Sequence, residues 1–274
     1  MNARRIPLSL IVVGALLVGV LALIALVSLA WLPYPIEDTS GGRLEGFSAD
    51  HLLGTDRLGH DLASRMMLGA RIALVVGLGA VAVATLIGVS VGLVIALARP
   101  WVDDVASALL DVLIAFPTLL LAMLIVAGFG ASLATVTVAI GVAASAVVAR
   151  LTRILARRVL AEQYVLAART SGVSTWGILT RHVLPNIWPT LATNLAVTMG
   201  GAILAEAGLS YLGLGAPPPN ASWGRLLQDA QATFTTQPLG AIAPGVAIVA
   251  FVLGANLAAD GLRSLIDPTQ GGAK

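Results

Sequence analysis

The sequence predicts an all-α polytopic membrane protein with six transmembrane helices. Its 274 residues are 58% hydrophobic and 11% charged, whereas soluble domains carry about 25% charged residues. The mean hydropathy is +0.93, and apolar runs of the roughly 17–25 residues that a spanning helix needs occur repeatedly. The chain has no cysteine, which excludes disulfides, Fe–S clusters and thiolate zinc sites.

The first predicted span covers residues 7–32 and follows Arg4 and Arg5. Ser28-Leu29-Ala30 loosely resembles a signal-peptidase site, so a cleaved signal is the alternative. Because the apolar region of a signal is only about 7–15 residues long, we expect a retained helix.

The five further spans are predicted within a domain of residues 70–266, at 70–98, 106–127, 132–148, 190–212 and 239–260. Pro117 and Pro244 predict local kinks. Gly128-Phe129-Gly130 predicts a tight turn between spans three and four. Gly88 and Gly92 form a GxxxG pair, which favours close helix packing.

The basic residues predict the orientation of the spans. With a cytoplasmic N-terminus, eleven of them fall on inner segments and five on outer segments, which agrees with the positive-inside rule. Both termini are then expected in the cytoplasm, including a tail at 267–274. Residues 1–69 are expected to hold the first helix, an outer loop and a short helix before span two, on which Asp61 could pair with Arg65. A second outer loop is predicted at 213–238.

The longest predicted cytoplasmic segment, 150–189, separates spans four and five. Its pattern predicts one helical stretch through Ala168 and a second from Ser174, as N-cap, to Val183, where Pro185 ends it. Gly172 is the turn residue between them. Trp176, Leu179 and Val183 give the second stretch an apolar face. Two interpretations stay open: a docking element for another protein, or an amphipathic loop on anionic headgroups.

Polar residues inside the predicted spans are candidate functional residues. Glu206 is costly in lipid, so we expect it to face the bundle or a wet cavity. It could line a pathway or form an interhelical hydrogen bond, and the same alternatives hold for Asn194 and Asn256. Asp111 is expected to reach toward the headgroups.

The pattern Ala167-Ala168, three residues, Gly172, and then Leu184-Pro185 resembles the EAA loop of ABC-importer permeases. Leu166 stands where that motif has glutamate, and His182 where it has isoleucine. Residues 53–74, 203–224 and 255–268 are similar to signatures of the C-type permease subunit of dipeptide, oligopeptide and nickel importers. The four stretches occur in the expected order, so the resemblance extends over nearly the whole chain.

The resemblance implies a bacterial plasma (inner) membrane protein that forms half of a translocation pathway. Its expected partners are a second, homologous permease subunit, one or two cytoplasmic ABC ATPases and an extracytoplasmic substrate-binding protein. ATP and Mg would be used by those partners; no cofactor, metal site or catalytic residue is expected in this chain. Peptides are the expected cargo, with nickel chelates, haem or glutathione-like molecules as alternatives. The ATPase-coupling loop would span 162–186, and its expected contact residues are Ala167, Ala168, Arg169, Gly172, Trp176, His182, Leu184 and Pro185.

Proteins of other classes fit the sequence less well. A stand-alone secondary transporter would normally show internal repeats, and the two halves show no clear self-similarity. An intramembrane enzyme is disfavoured because there is no HExxH motif and His51, His60 and His182 lie outside the predicted spans. The only lysine is Lys274, so a P-loop is missing and an ATPase is not expected. Nothing in the sequence indicates nucleic-acid binding.

Overall fold

The computed structural model describes residues 5–266 and confirms an all-α polytopic architecture. Within residues 5–266, five helical segments are long and apolar enough to cross a membrane, and the number is six when a bent helix pair is counted as one span. The predicted tail at 267–274 lies outside the described residues. The helices are α1 (Arg5–Ala30), α2 (Leu62–Leu97), α3 (Pro100–Ala115), α4 (Thr118–Phe129), α5 (Leu133–Leu160), α6 (Gln163–Thr170), α7 (Thr175–Ile178), α8 (Leu184–Tyr211), α9 (Trp223–Ala230) and α10 (Leu239–Ile266).

Small residues bring α2 and α5 close together. A Cβ on Gly88 would lie 2.6 Å from Val148 Cβ, and one on Gly92 would lie 2.5 Å from the Ala149 carbonyl oxygen. Gly14 and Gly254 make the same kind of close contact between α1 and α10. No hydrophobic effect drives helices together within lipid, so such close backbone approach stabilises the bundle through van der Waals contact.

The third predicted span is broken rather than kinked. Phe116 and Pro117 separate α3 from α4, whose axes differ by 87°. Proline lacks an N–H and disfavours helix for the residue before it, so Phe116 takes an extended conformation and the helix ends. The expectation of a continuous helix over 106–127 was wrong.

The broken pair nevertheless carries the chain from one end of the bundle to the other. Asp103 of α3 pairs with Arg153 and Arg157 near the C-terminus of α5. At the far end of the pair, Val126 of α4 packs in a cluster with Leu68 of α2. We name the two ends after the helices found there: the α6–α7 end and the α9 end.

Several predicted boundaries also move. The short helix expected before span two is the first part of α2, which Asp61 caps by accepting the Ser64 backbone N–H at 2.7 Å. Span four continues through the arginine-rich sequence to Leu160. Pro244 lies inside the continuous helix α10. The turn after α4 is as expected, with Gly130 at φ +87°.

Candidate functional site

The segment between α5 and α8 folds as two short helices that project from one end of the bundle. Gly172 joins them at φ +81°, in the left-handed region that glycine enters without strain. Ser174 caps α7 by accepting the Gly177 N–H at 3.2 Å. The glycine turn and the serine cap are both as the sequence predicted.

The second helix does not end at Pro185. A π turn over Leu179–Val183 joins α7 to α8, so Thr175 to Tyr211 is one helical segment. Pro185 occupies the first turn of α8, where a missing N–H is tolerated. The expectation that Pro185 terminates a helix was wrong.

The inner side of this element is a closed apolar cluster. Val165 of α6 and Val183 of the π turn are fully buried, and they pack with Ile178, Ala156 of α5 and Ile187 of α8. The rings of Tyr164 and His182, with centroids 5.9 Å apart, add a contact between α6 and the π turn. The element is therefore packed firmly against the ends of α5 and α8.

The outer side carries exposed apolar side chains. Trp176 is 73% exposed and Leu166 is 62% exposed. The sequence suggested that Trp176 shares a face with Leu179 and Val183. It does not, because Leu179 and Val183 are buried. The exposed side chains of Trp176 and Leu166 make the tip of the element a candidate contact surface for another molecule.

Most of the other predicted contact residues surround this tip. Ala167, Arg169, Gly172 and Pro185 are exposed, whereas Ala168, His182 and Leu184 are half-buried. Leu184 and Pro185 belong to α8 rather than to the projecting helices. Sequence reasoning did not single out Leu166 as a contact, although the structure leaves it exposed beside the buried Val165.

A buried ion-pair cluster fixes α3 to α5 next to this element. Arg153 donates to both carboxylate oxygens of Asp103 at 2.5 and 2.6 Å, and Arg157 approaches the same carboxylate at 2.8 Å. The Asp103 side chain is 3% exposed. Asp111 instead pairs with Arg150 at 3.0 Å, and both side chains are about half exposed. Sequence reasoning missed the Asp103 cluster because its partners lie fifty residues away.

The three polar pathway candidates differ in burial and in hydrogen bonding. Glu206 is buried near the α9 end, where it accepts the Ser210 hydroxyl of its own helix at 2.6 Å and interacts with Ser222, the N-cap of α9. Asn194 has a buried carboxamide oxygen with no hydrogen-bond partner among residues 5–266. Asn256 is half-buried. The three are not brought into one cluster.

The α9 end holds a second ionic network, which joins the segment between α1 and α2, the first turn of α2 and α9. Arg65 of α2 pairs with Asp56 and, at 3.5 Å, with Asp229 of α9. Asp229 also contacts Arg225 at 3.4 Å. The expected Asp61–Arg65 pair does not form, because Asp61 caps α2 and contacts His51 Nδ1 at 3.1 Å.

The electrostatics of Asp56 reflect this network. Burial alone would raise the pKa of its carboxyl, but hydrogen bonds from the His60 backbone and ring and from the Leu58 N–H, together with the Arg65 guanidinium, lower the pKa below its ordinary value. Gln237 adds a link between the two segments by donating to the Glu45 carbonyl at 2.7 Å. The network borders a cleft of about 590 Å³ between residues 36–62 and α9.

Comparison with known proteins agrees with the permease family that the sequence resembles. Residues 84–271 match the family model described as "Binding-protein-dependent transport system inner membrane component". The chain is 35% identical to a dipeptide transport system permease protein of Alkalihalophilus pseudofirmus over 95% of its own length and 86% of the relative's. It is 38% identical to a glutathione transport system permease protein of Pectobacterium atrosepticum, covering 94% and 86%. A putative peptide transport system permease protein of Brucella suis is 39% identical, covering 80% and 74%.

Proposed function

The chain belongs to the family of binding-protein-dependent transport system inner membrane components, and from that premise we propose that it forms half of the peptide pathway of an ATP-driven importer. A second, homologous permease subunit would supply the other half. One or two cytoplasmic ABC ATPases would use ATP and Mg, and an extracytoplasmic binding protein would deliver the cargo. This chain would bind no cofactor and hydrolyse no ATP.

The observation that carries the proposal is the projecting α6–α7 element. Its inner side is locked against α5 and α8, while its tip presents Leu166 and Trp176 to solvent. A rigid element of this kind can transmit the movement of a bound partner to the two long helices as a rigid-body displacement. A loop that only rests on headgroups does not need an anchored inner side.

Within this surface we assign the ATPase contact to Leu166, Ala167, Ala168, Arg169, Gly172 and Trp176. The small residues allow close approach, and the tryptophan is the residue type most often dominant in binding energy. His182 would act indirectly, by its ring contact with Tyr164. Leu184 and Pro185 would support the element from the first turn of α8.

The proposed cargo is a short peptide, including glutathione-like tripeptides. The relatives named for dipeptide, glutathione and peptide transport support this choice. Glu206, Asn194 and Asn256 are proposed as pathway or helix-bridging residues. We propose that both termini lie in the cytoplasm of a bacterial cell, on the same side as the α6–α7 end; the positive-inside distribution of the basic residues supports this orientation.

The test is ATPase association with the assembled importer. Trp176→Ala should lower the affinity for the ATPase subunits by about tenfold or more, because truncating an anchor tryptophan costs about 2 kcal/mol. Trp101→Ala is the matched control, since Trp101 is 67% exposed on α3, outside the proposed contact. Co-purification and substrate-stimulated ATP hydrolysis are measured. Unchanged ATPase binding in the Trp176 variant would refute the coupling assignment.

A further inference from the structure

We propose that the cleft at the α9 end is a binding site for a short zwitterionic peptide, held by its two charged termini. The substrate class rests on the proposed function, but the cleft's size and charges support the site independently. The cleft lies between residues 36–62 on one side and the 218–240 segment, including α9, on the other.

The size of the cleft suits a small molecule. Its volume of about 590 Å³ falls within the range of about 300–1,000 Å³ that is usual for ligand pockets. A protein partner instead needs a face of about 800 Å². A dipeptide or tripeptide fits a concave space of this size.

The charges of the lining favour a zwitterion over a simple anion or cation. The lining holds three carboxylates and three guanidinium groups, from Glu37, Asp56, Asp229, Arg57, Arg65 and Arg225. These formal charges cancel, so neither an anion nor a cation is attracted by excess charge. A ligand with one charge of each sign can pair with both.

Two of the six charged side chains remain available. Asp56, Arg65, Asp229 and Arg225 pair with one another. Glu37 and Arg57 are exposed and make no ion pair with any of the described residues. We assign the ligand's ammonium group to Glu37 and its carboxylate to Arg57.

The paired residues give the cleft a fixed shape. Arg65 is only 14% exposed and joins the two sides of the cleft through Asp56 and Asp229. Ile36, Leu44, Leu58 and Leu226 supply apolar wall for a peptide side chain. A site that is already ordered loses less entropy when a ligand binds.

The experiment measures peptide binding to the purified importer complex in nanodiscs, without the binding protein. The probe is the dipeptide alanyl-phenylalanine, compared with its N-acetylated and C-amidated form in calorimetric titrations. We expect the blocked form to bind about tenfold more weakly, because each terminus loses a charged hydrogen bond. Equal binding of the two forms, or no binding of either, would overturn the proposal.

Substitutions then locate the site. Glu37→Gln and Arg57→Gln should each weaken binding about fivefold, in line with the loss of one partly exposed charge pair. Glu45→Gln and Arg43→Gln are matched controls in the same outer segment, because neither residue lines the cleft. Unchanged affinity in both cleft variants would contradict the assignment.

Two further readouts separate the possible failures. If the cleft variants lower affinity for the binding protein while the dipeptide does not bind, the cleft is a docking surface and the proposal is wrong. ATP-driven uptake is measured with the same complex and its binding protein. Dipeptide binding without ATP-driven uptake would refute the proposed function but not the cleft site. ATP-driven uptake without dipeptide binding would support the proposed function and refute the cleft site.

Discussion

The carboxylate of Asp103 illustrates how one residue can hold a helix in place. It receives Arg153 and Arg157 of α5 while its own side chain is nearly inaccessible. We expect Asp103→Asn to lower the free energy of unfolding by about 2 kcal/mol, because charged hydrogen bonds are lost and two guanidinium groups lose their partner. The midpoint of thermal unfolding of the purified protein in detergent measures the effect.

Asp111→Asn is the control for that prediction. It removes the same charge from the same helix, but the Asp111–Arg150 pair is about half exposed. Surface pairs contribute about 0–1 kcal/mol, so a small shift is expected. Equal losses in the two variants would show that burial of the Asp103 cluster contributes nothing to stability.

Residue-scale predictions from the sequence were right where the cause is local. Gly172 and Ser174 were identified correctly, because a left-handed turn and an N-cap each depend on a few neighbouring residues. Trp176 was placed on the wrong face because the spacing argument assumed a regular α-helix. The π turn at Leu179–Val183 changes the number of residues per turn and rotates the face. The partners of Arg65 were missed because Asp229 lies 164 positions away along the chain.

At the scale of helices, the interface between α2 and α5 depends on glycines that allow backbone contact. We expect Gly88→Ala to destabilise the protein by about 1–3 kcal/mol, the usual cost of overpacking. Its Cβ would meet Val148 Cβ at 2.6 Å and the Ser145 carbonyl oxygen at 2.8 Å. The thermal midpoint, followed by tryptophan fluorescence in detergent, reports the loss.

Gly19→Ala is the matched substitution in α1. A Cβ at Gly19 meets nothing within 4 Å, and alanine has the higher helix propensity, so this variant should be at least as stable as the natural protein. If Gly88→Ala and Gly19→Ala changed the thermal midpoint equally, the glycine at position 88 would not be needed for close helix packing.

The apolar runs predicted which segments form helices, but not how each helix begins, bends or ends. Hydropathy identifies residues that lipid accepts, and each of the six predicted runs falls on helices, although the third is broken at Phe116 and Pro117. The extension of α5 to Leu160 was missed because the arginines that follow Val148 make that segment too charged to be predicted as part of a membrane span. Pro117 breaks its span whereas Pro244 lies inside a continuous helix; the difference depends on tertiary packing, which a single proline in a sequence does not reveal.

For the whole molecule, the two proposed sites lie at opposite ends of the same long helices. The α6–α7 element packs on α5 and α8. Near the other end of α8, Glu206 interacts with Ser222, which is the N-cap of α9. A displacement at one end can therefore reach the other without a separate relay, since α8 connects both. This arrangement requires that the two ends face opposite sides of the membrane.

Cysteine labelling can test that requirement, because the natural chain contains no cysteine. Ser40→Cys and Ser171→Cys place one thiol at each end, and both serines are exposed. In spheroplasts, a membrane-impermeant maleimide should label the Ser40 variant at once and the Ser171 variant only after permeabilisation. The reverse pattern would invert the proposed orientation. Labelling of both from the same side would refute the placement of the two ends on opposite sides of the membrane, which α3 and α4 (at an angle of 87°) are expected to connect.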